Sequence, residues 1–343
     1  MKKFLGFGMP ALLMGAAAVW GQPNAATLVV TASNASTNQL LAYNTAGQAV
    51  QTISTQGQGG ASGNAGGIAA QGGLIAVVNF GSKNVTLFQR VGNGFQFRQL
   101  IPAASSPLSV AFGHSHLYVL GTTKVESHPM FGSFVSSGPD GVVPLRVADG
   151  SAAQVGVVQN QLIITEKSNV IETVNLMNSG AVGGSPALVA NIPANVNAPF
   201  GLVTRGDDAY VTIAHADEIS LVRHDTVLTV TPSGTQHAPC WLTLVGPFLF
   251  SSNSPSMTVS RYAVYGQKIV QDAAVAASLQ GAPTDIASGE GFVAVVDGFT
   301  SPTAGSHLTI FAVDEDGVLT SKGVVTTAAP LNGVAIIGAG DRF

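Results

Sequence analysis

Charged side chains are scarce in this sequence. Asp, Glu, Lys and Arg make up 9% of its 343 residues, against roughly 25% in an ordinary soluble chain. It has 14 basic and 18 acidic residues, a net charge of −4 and no block of five like charges. That excludes the clustered Lys and Arg of a nucleic-acid binder, and any acidic or basic tail. Cysteine is a single residue, Cys240, so an internal disulfide and a cysteine-built zinc site are both excluded. Aromatics are also few, at 7%. What the chain has instead is apolar residues and glycine. A hydrophobic fraction of 46% excludes a disordered chain. Glycine is 41 of 343 residues, or 12%, with no every-third-residue period, so the chain is not collagen-like. Neutral polar residues stand where most proteins carry charge. At this length a large core needs no covalent staples.

The N-terminus reads as a leader. Lys2 and Lys3 form a basic start, Phe4 to Trp20 is uncharged and apolar, and Ala16, Ala17, Ala18 and Gly21 supply small residues for cleavage. Cleavage is expected near Gly21 or after Ala25 or Ala26; the alternative is an uncleaved anchor, for which 17 residues is short. This predicts a leader over 1–21, a single domain over 22–343 with a net charge of −6, and export to the periplasm or the exterior.

Short β-branched runs recur along the chain: LVVT from Leu28, IAVV from Ile75, LYVL from Leu117, LIIT from Leu162, AYVT from Ala209, FLFS from Phe248 and FVAV from Phe292. Their spacings are 47, 42, 45, 47, 39 and 44 residues, and a four-stranded propeller blade takes roughly 40–50. Pro107, Pro199, Pro239 and Pro283 each open another short apolar strand nine or ten residues before a run, with Ala65 and Ala152 in the corresponding places elsewhere. Alternating strands such as NVTLF from Asn84, EISLV from Glu218, TVSRY from Thr258 and HLTIF from His307 follow the runs. Asn93-Gly94 and Asp316-Gly317 mark hairpins into a variable fourth strand. The first repeat lacks its proline strand, and the C-terminus has a spare one in PLNGVAII from Pro330. Pairing the two completes a seventh blade and removes an open edge. The expected fold is all-β, a seven-bladed propeller closed by pairing of N- and C-terminal strands. Asp272 to Leu279 is alanine-rich but too short for a stable helix.

These repeats resemble a known family. AVVNFGSKNVTLF from Ala76 and FLFSSNSPSMTVSRY from Phe248 are similar to YVTN-type repeats. LIITEKSNVIETV from Leu162, APFGL from Ala198 and APCWL from Ala238 resemble, in order and spacing, segments of the bacterial secreted lactonase-family propellers, also called 3-carboxymuconate-cyclase-like. The resemblance covers residues 27–338. It implies a propeller fold and, as an activity, hydrolysis of a sugar lactone or lactonisation of a muconate-like substrate, by His, Arg and Glu side chains converging from several blades. No such set maps residue by residue onto this chain, and a shared fold does not carry an activity with it.

The position ending the second strand of each repeat, or its neighbour, supplies Ser33, Asn79, Gly121, Glu166, His215, Asn253 and Asp297. Read functionally these form a polar ring on one face. His215 is the candidate general base, Glu166 or Asp297 orients it, and Asn79, Asn253 and Ser33 bind ligand. Read structurally the same residues cap strand ends. The pair His114 and His116 has metal-binding spacing but no third ligand, and is expected in an exposed turn. Asp314, Asp316 and Gly317 lack the rest of a calcium loop and read as a hairpin turn. Gly57 to Gly67 reads as a loop over one face, since no helix follows it to make a phosphate cradle. Cys240, beside Trp241, reads as a buried, unreactive thiol on an innermost strand. No G-x-S-x-G elbow occurs. No cofactor is expected, with a divalent metal left open. The expected partner is a small lactone or carbohydrate, or a protein, and the expected state a monomer without a transmembrane segment after cleavage. Two functions follow: a propeller that binds a ligand or partner without catalysis, or a lactone hydrolase.

Overall fold

The computed structural model describes residue 1 and residues 25–196, 198–298 and 305–341. Apart from Met1, the leader expected over 1–21 lies outside the described residues. Among the described residues no helix is long and apolar enough to cross a membrane.

Seven antiparallel sheets are arranged as the blades of a propeller. Blade 1 is split: Asn332–Ile337 is its innermost strand, followed outward by Leu28–Ala32, Gln39–Asn44 and Ala49–Ser54. The two ends of the chain pair directly, Leu28 with Ile337 and Val30 with Ala335. The innermost strands of blades 2 to 7 are Ile68–Gln71, Pro107–Gly113, Ala152–Val158, Pro199–Arg205, Pro239–Val245 and Pro283–Gly289. Each packs against its neighbours, and blade 7 packs on blade 1, so the ring is closed. Lys268–Ser278 is the fourth strand of blade 6, so the alanine-rich stretch is extended backbone. Blade 3 departs from the pattern. Its third strand, Lys124–Phe131, pairs with two short pieces, Phe134–Val135 and Gly141–Pro144, in place of one fourth strand.

The second strands explain the β-branched runs. Leu28–Ala32, Leu74–Asn79 and Asp208–Ile213 are buried at every residue. Each sits inside its sheet with a neighbouring blade on either face, so it reads as a continuous apolar run without alternation. In blade 1, Leu28, Val30 and Ala32 face blade 2, where they meet Ile75 and Val77. Val29, between them, faces blade 7 and meets Val296 and Leu308. The core is therefore a ring of wedges, one between each pair of adjacent blades. The outermost strands alternate exposed and half-buried residues, as in Ala49–Ser54.

Candidate functional site

Because second and innermost strands are antiparallel, the end of each second strand lies beside the start of its innermost strand, on one face of the disc. The second strands end at Ala32, Asn79, Gly121, Glu166, Ile213, Asn253 and Asp297. The recurrent position read from the sequence is thus a structural one. His215 is the exception, two residues beyond the strand in a single 3-10 turn, Ala214–Ala216.

At this same edge the innermost strands carry a β-bulge. The register shifts at Pro107/Ser109, Ala152/Gln154, Pro199/Leu202, Pro239/Trp241 and Pro283/Asp285, and again where Leu28–Ala32 meets Asn332–Ile337. A bulge re-aims its side chains and ends regular pairing. Here it turns Phe200, Trp241, Thr284 and Asn332 into a pocket of about 250 Å³ that also takes in Asn34 and Asn64. Phe200 and Trp241 meet edge to face at 5.3 Å.

The glycine-rich loop, Gly57 to Gly67, crosses the centre of the disc beneath that pocket and is tied to blade after blade. Asn64 Nδ2 donates to the Leu108 carbonyl at 2.6 Å, and Trp241 Nε1 donates to the Asn64 carbonyl at 3.2 Å. Asn332 Nδ2 donates to Asn64 Oδ1 at 3.0 Å. The Ala65 N–H donates to the Ala153 carbonyl at 3.2 Å. Lys167 Nζ donates to the Gly63 carbonyl and lies over the Phe200 ring. Gly66 has a φ of +63°, and a Cβ there would lie 2.9 Å from Ser109 Oγ, so the crossing requires glycine.

The structure gives each predicted site residue its own surroundings. Glu166 is buried; its Oε2 accepts from Ser151 Oγ at 2.9 Å, and among the described residues its Oε1 has no partner. Burial pushes its carboxyl up to about 8. Asp297 is buried; Oδ1 pairs with His307 Nδ1 at 2.8 Å while among the described residues Oδ2 has no partner, and burial raises its pKa. His215 is exposed, and the nearby Asp217 pairs with His237 Nδ1 at 2.9 Å. Among the described residues no hydrogen bond or ion pair joins His215, Glu166 and Asp297 to one another; they belong to blades 5, 4 and 7. Asn79 is fully engaged: Oδ1 accepts from Asn38 and Thr55, and Nδ2 donates to Asn84 and Thr86. Asn253 is held by Ser251, Thr258 and Ser260, and Ser33 by Asn38 and the Gln39 N–H.

Other expectations meet the structure as follows. His114 is exposed, but His116 is not in an exposed turn: it opens a strand, is buried, and its Nε2 pairs with Asp140 at 2.9 Å. The reason is the bend at His114 and Ser115, both at positive φ, which turns the next side chain inward. Asp314 Oδ1 accepts from the N–H groups of Asp316 and Val318, as a turn-closing Asp does. Cys240 is buried and its thiol is pushed up to about 12. Among the described residues no group of three or more His, Cys, Asp or Glu is arranged to hold a metal ion. Sequence reasoning missed Asn64, Asn332 and Asp285. The only signal for Asp285 was its place two residues after a strand-opening proline, where Pro107 is followed by Ser109 and Pro239 by Trp241.

No protein-family model and no curated protein matches the chain in sequence. Solved structures share its fold. The periplasmic gluconolactonase of Pseudomonas aeruginosa is 17% identical and superposes with a TM-score of 0.65 over 91% of this chain and 99% of its own. A protein of Bacteroides fragilis assigned as a 6-phosphogluconolactonase is 13% identical, with a TM-score of 0.66 over 92% of this chain and 99% of its own. A streptogramin B lyase is 14% identical, with a TM-score of 0.59 over 80% of this chain and 87% of its own. The chain is thus a seven-bladed propeller of the architecture found in lactonase-like structures.

Proposed function

We propose that this protein is an exported propeller that binds a neutral, sugar-sized ligand in the pocket at the loop-covered mouth of its channel. The observation that carries this reading is the chemistry of the pocket: Asn34, Asn64, Asn332 and Thr284 around the paired rings of Phe200 and Trp241. Amides and hydroxyls donate and accept hydrogen bonds without charge, and an aromatic ring covers the apolar face of a sugar. None of the described lining residues is ionisable. The reading of export rests on Lys2, Lys3 and the apolar stretch behind them, and agrees with the periplasmic source of one structure of the same fold.

A second reading, lactone hydrolysis, is favoured by one observation: Glu166 and Asp297 sit on this face as buried carboxyls, each with an oxygen that has no partner among the described residues. In that reading His215 activates water, with Glu166 or Asp297 supporting it, on the frame shared with the gluconolactonase structures. Calorimetric titration with neutral monosaccharides and their lactones separates the two. Binding is expected, weakened tenfold or more by Trp241→Phe or Asn332→Ala and unchanged by His215→Ala. Turnover of a lactone that His215→Ala or Glu166→Ala abolishes would replace binding with hydrolysis. Turnover unchanged in both variants would remove those residues from any mechanism. Neither binding nor turnover across the panel would end both readings.

A further inference from the structure

Below the glycine-rich loop lies a second cavity, the channel itself, of about 470 Å³. All seven innermost strands line it, with Val110, Val155, Leu202, Leu242, Ile286 and Val334 among its walls. Its ceiling is Gly66 of the loop, Gln154 and Asp285. It continues to Phe112, Val157, Thr204 and Ala287, which are half-buried in the later part of their strands.

Asp285 is the one ionisable side chain in this lining, and it is 4% exposed. Its Oδ2 accepts the Gly66 N–H at 3.0 Å and its Oδ1 accepts the Ile286 N–H at 2.9 Å. The Val334 N–H also supports it. Among the described residues no Lys, Arg or His pairs with it. Backbone donors on both oxygens are the setting of a charged carboxylate, yet no counter-charge is supplied, and a buried carboxylate without one is costly. Burial outweighs the donors and raises the group to about 7, so near neutral pH it is poised to ionise when a cation arrives. The walls around it offer apolar side chains and the polar backbone edges of the innermost strands in about equal measure.

We propose that the channel is a binding site for a protonated aliphatic amine, with its ammonium group on Asp285 and its hydrocarbon chain along the channel that the innermost strands enclose. The carboxylate repels anions. A neutral alcohol fills the channel but brings no positive charge to draw the proton from Asp285. The volume suits a small ligand, since such sites run from about 300 to 1,000 Å³. The proposal is independent of the sugar pocket, which lies on the other side of the loop.

Isothermal titration calorimetry of the intact protein with hexylammonium, hexan-1-ol and hexanoate tests it. Hexylammonium is expected to bind at one site, hexan-1-ol at least tenfold more weakly, and hexanoate not at all. Asp285→Asn is expected to weaken the amine tenfold or more and leave the alcohol unchanged. Thr204→Trp narrows the half-exposed end of the channel while Asp285 stays in place, and is expected to abolish amine binding; it keeps the test decisive if Asp285→Asn disturbs the loop. Equal affinity for alcohol and amine, amine binding unchanged in either variant, or no binding of the amine at millimolar concentration overturns the proposal.

Discussion

In a chain so poor in charge, much of the acid that matters is buried. Glu166 is raised to about 8 and Asp285 and Glu218 to about 7, each mainly by burial. A carboxyl raised in the folded state holds its proton there after the unfolded chain has released it. The stability this gives is complete below the unfolded value, about 4, and is lost as pH rises through 7 and 8. Each such group accounts for roughly 1.4 kcal/mol per pH unit over which the folded form alone stays protonated. Asp140, Asp149 and Asp217 are shifted downward by hydrogen bonds and neighbouring charge, against the opposing effect of burial. Their contribution is lost only in acid, below this range. Thermal melts are therefore expected to show the protein most stable near pH 4, with a fall from there to about pH 8. Glu166→Gln and Asp285→Asn should each flatten that fall, and a flat profile in the parent protein would show these carboxyls ionised throughout. The sequence allowed Glu166 to be singled out, because it ends a recognisable strand. Asp285 sits just inside an equally recognisable one, but nothing in PTDIAS distinguishes a side chain turned into the channel from one turned into solvent. That depends on a bulge, which leaves no residue signature of its own.

At the scale of the strand, the bulges are held by hydroxyls on the second strands. In blade 5, Thr212 Oγ1 accepts from the Gly201 N–H at 2.9 Å and donates to the Cys240 carbonyl of blade 6 at 3.0 Å. In blade 4, Thr165 Oγ1 accepts from the Gln154 N–H at 3.1 Å and donates to the Phe200 carbonyl of blade 5. One threonine thus satisfies the backbone donor that the bulge frees and fastens its blade to the next. Thr212→Val and Thr165→Val keep the shape but leave buried backbone groups unpaired, and should each cost about 1–3 kcal/mol in denaturant unfolding. Ser252 occupies the same place in blade 6, but among the described residues its buried Oγ has no partner, so Ser252→Ala should cost less than either. Equal losses at all three positions would mean that packing, not the hydroxyl bridge, is at stake. Thr165 and Thr212 close the sequence runs LIIT and AYVT, and Ser252 directly follows the run FLFS. The runs gave the blades and their order because burial on both faces demands apolar, β-branched residues. The bridging role of the last residue was hidden, since Thr suits a strand whether or not its hydroxyl is used.

For the whole molecule, closure is the point where a ring can fail, because one blade is assembled from both ends of the chain. Its backbone pairing, Leu28 with Ile337 onward, was legible in the missing first strand and the spare last one. Its clamp was not. Arg90, on the third strand of blade 2, is 8% exposed and reaches both ends at once: Nη1 donates to the Ile337 and Gly338 carbonyls and Nη2 to the Ala26 carbonyl. Its Nε donates to the Gly92 carbonyl at 3.0 Å. In the sequence it is one arginine in an alternating strand, 64 residues from Ala26 and 247 from Ile337. The planar guanidinium spreads donors over several carbonyls, which the single ammonium of lysine does not match. Arg90→Ala should therefore cost about 2–4 kcal/mol. Arg90→Lys should recover only part of it, because charge alone does not restore the fork. The loss should also be local before it is global. Amide hydrogen exchange is expected to accelerate first in Leu28–Ala32 and Asn332–Ile337, with blades 4 and 5 protected as in the parent protein. Acceleration spread evenly over all seven blades would instead mean that Arg90 supports the fold as a whole, and that backbone pairing alone holds the ring shut.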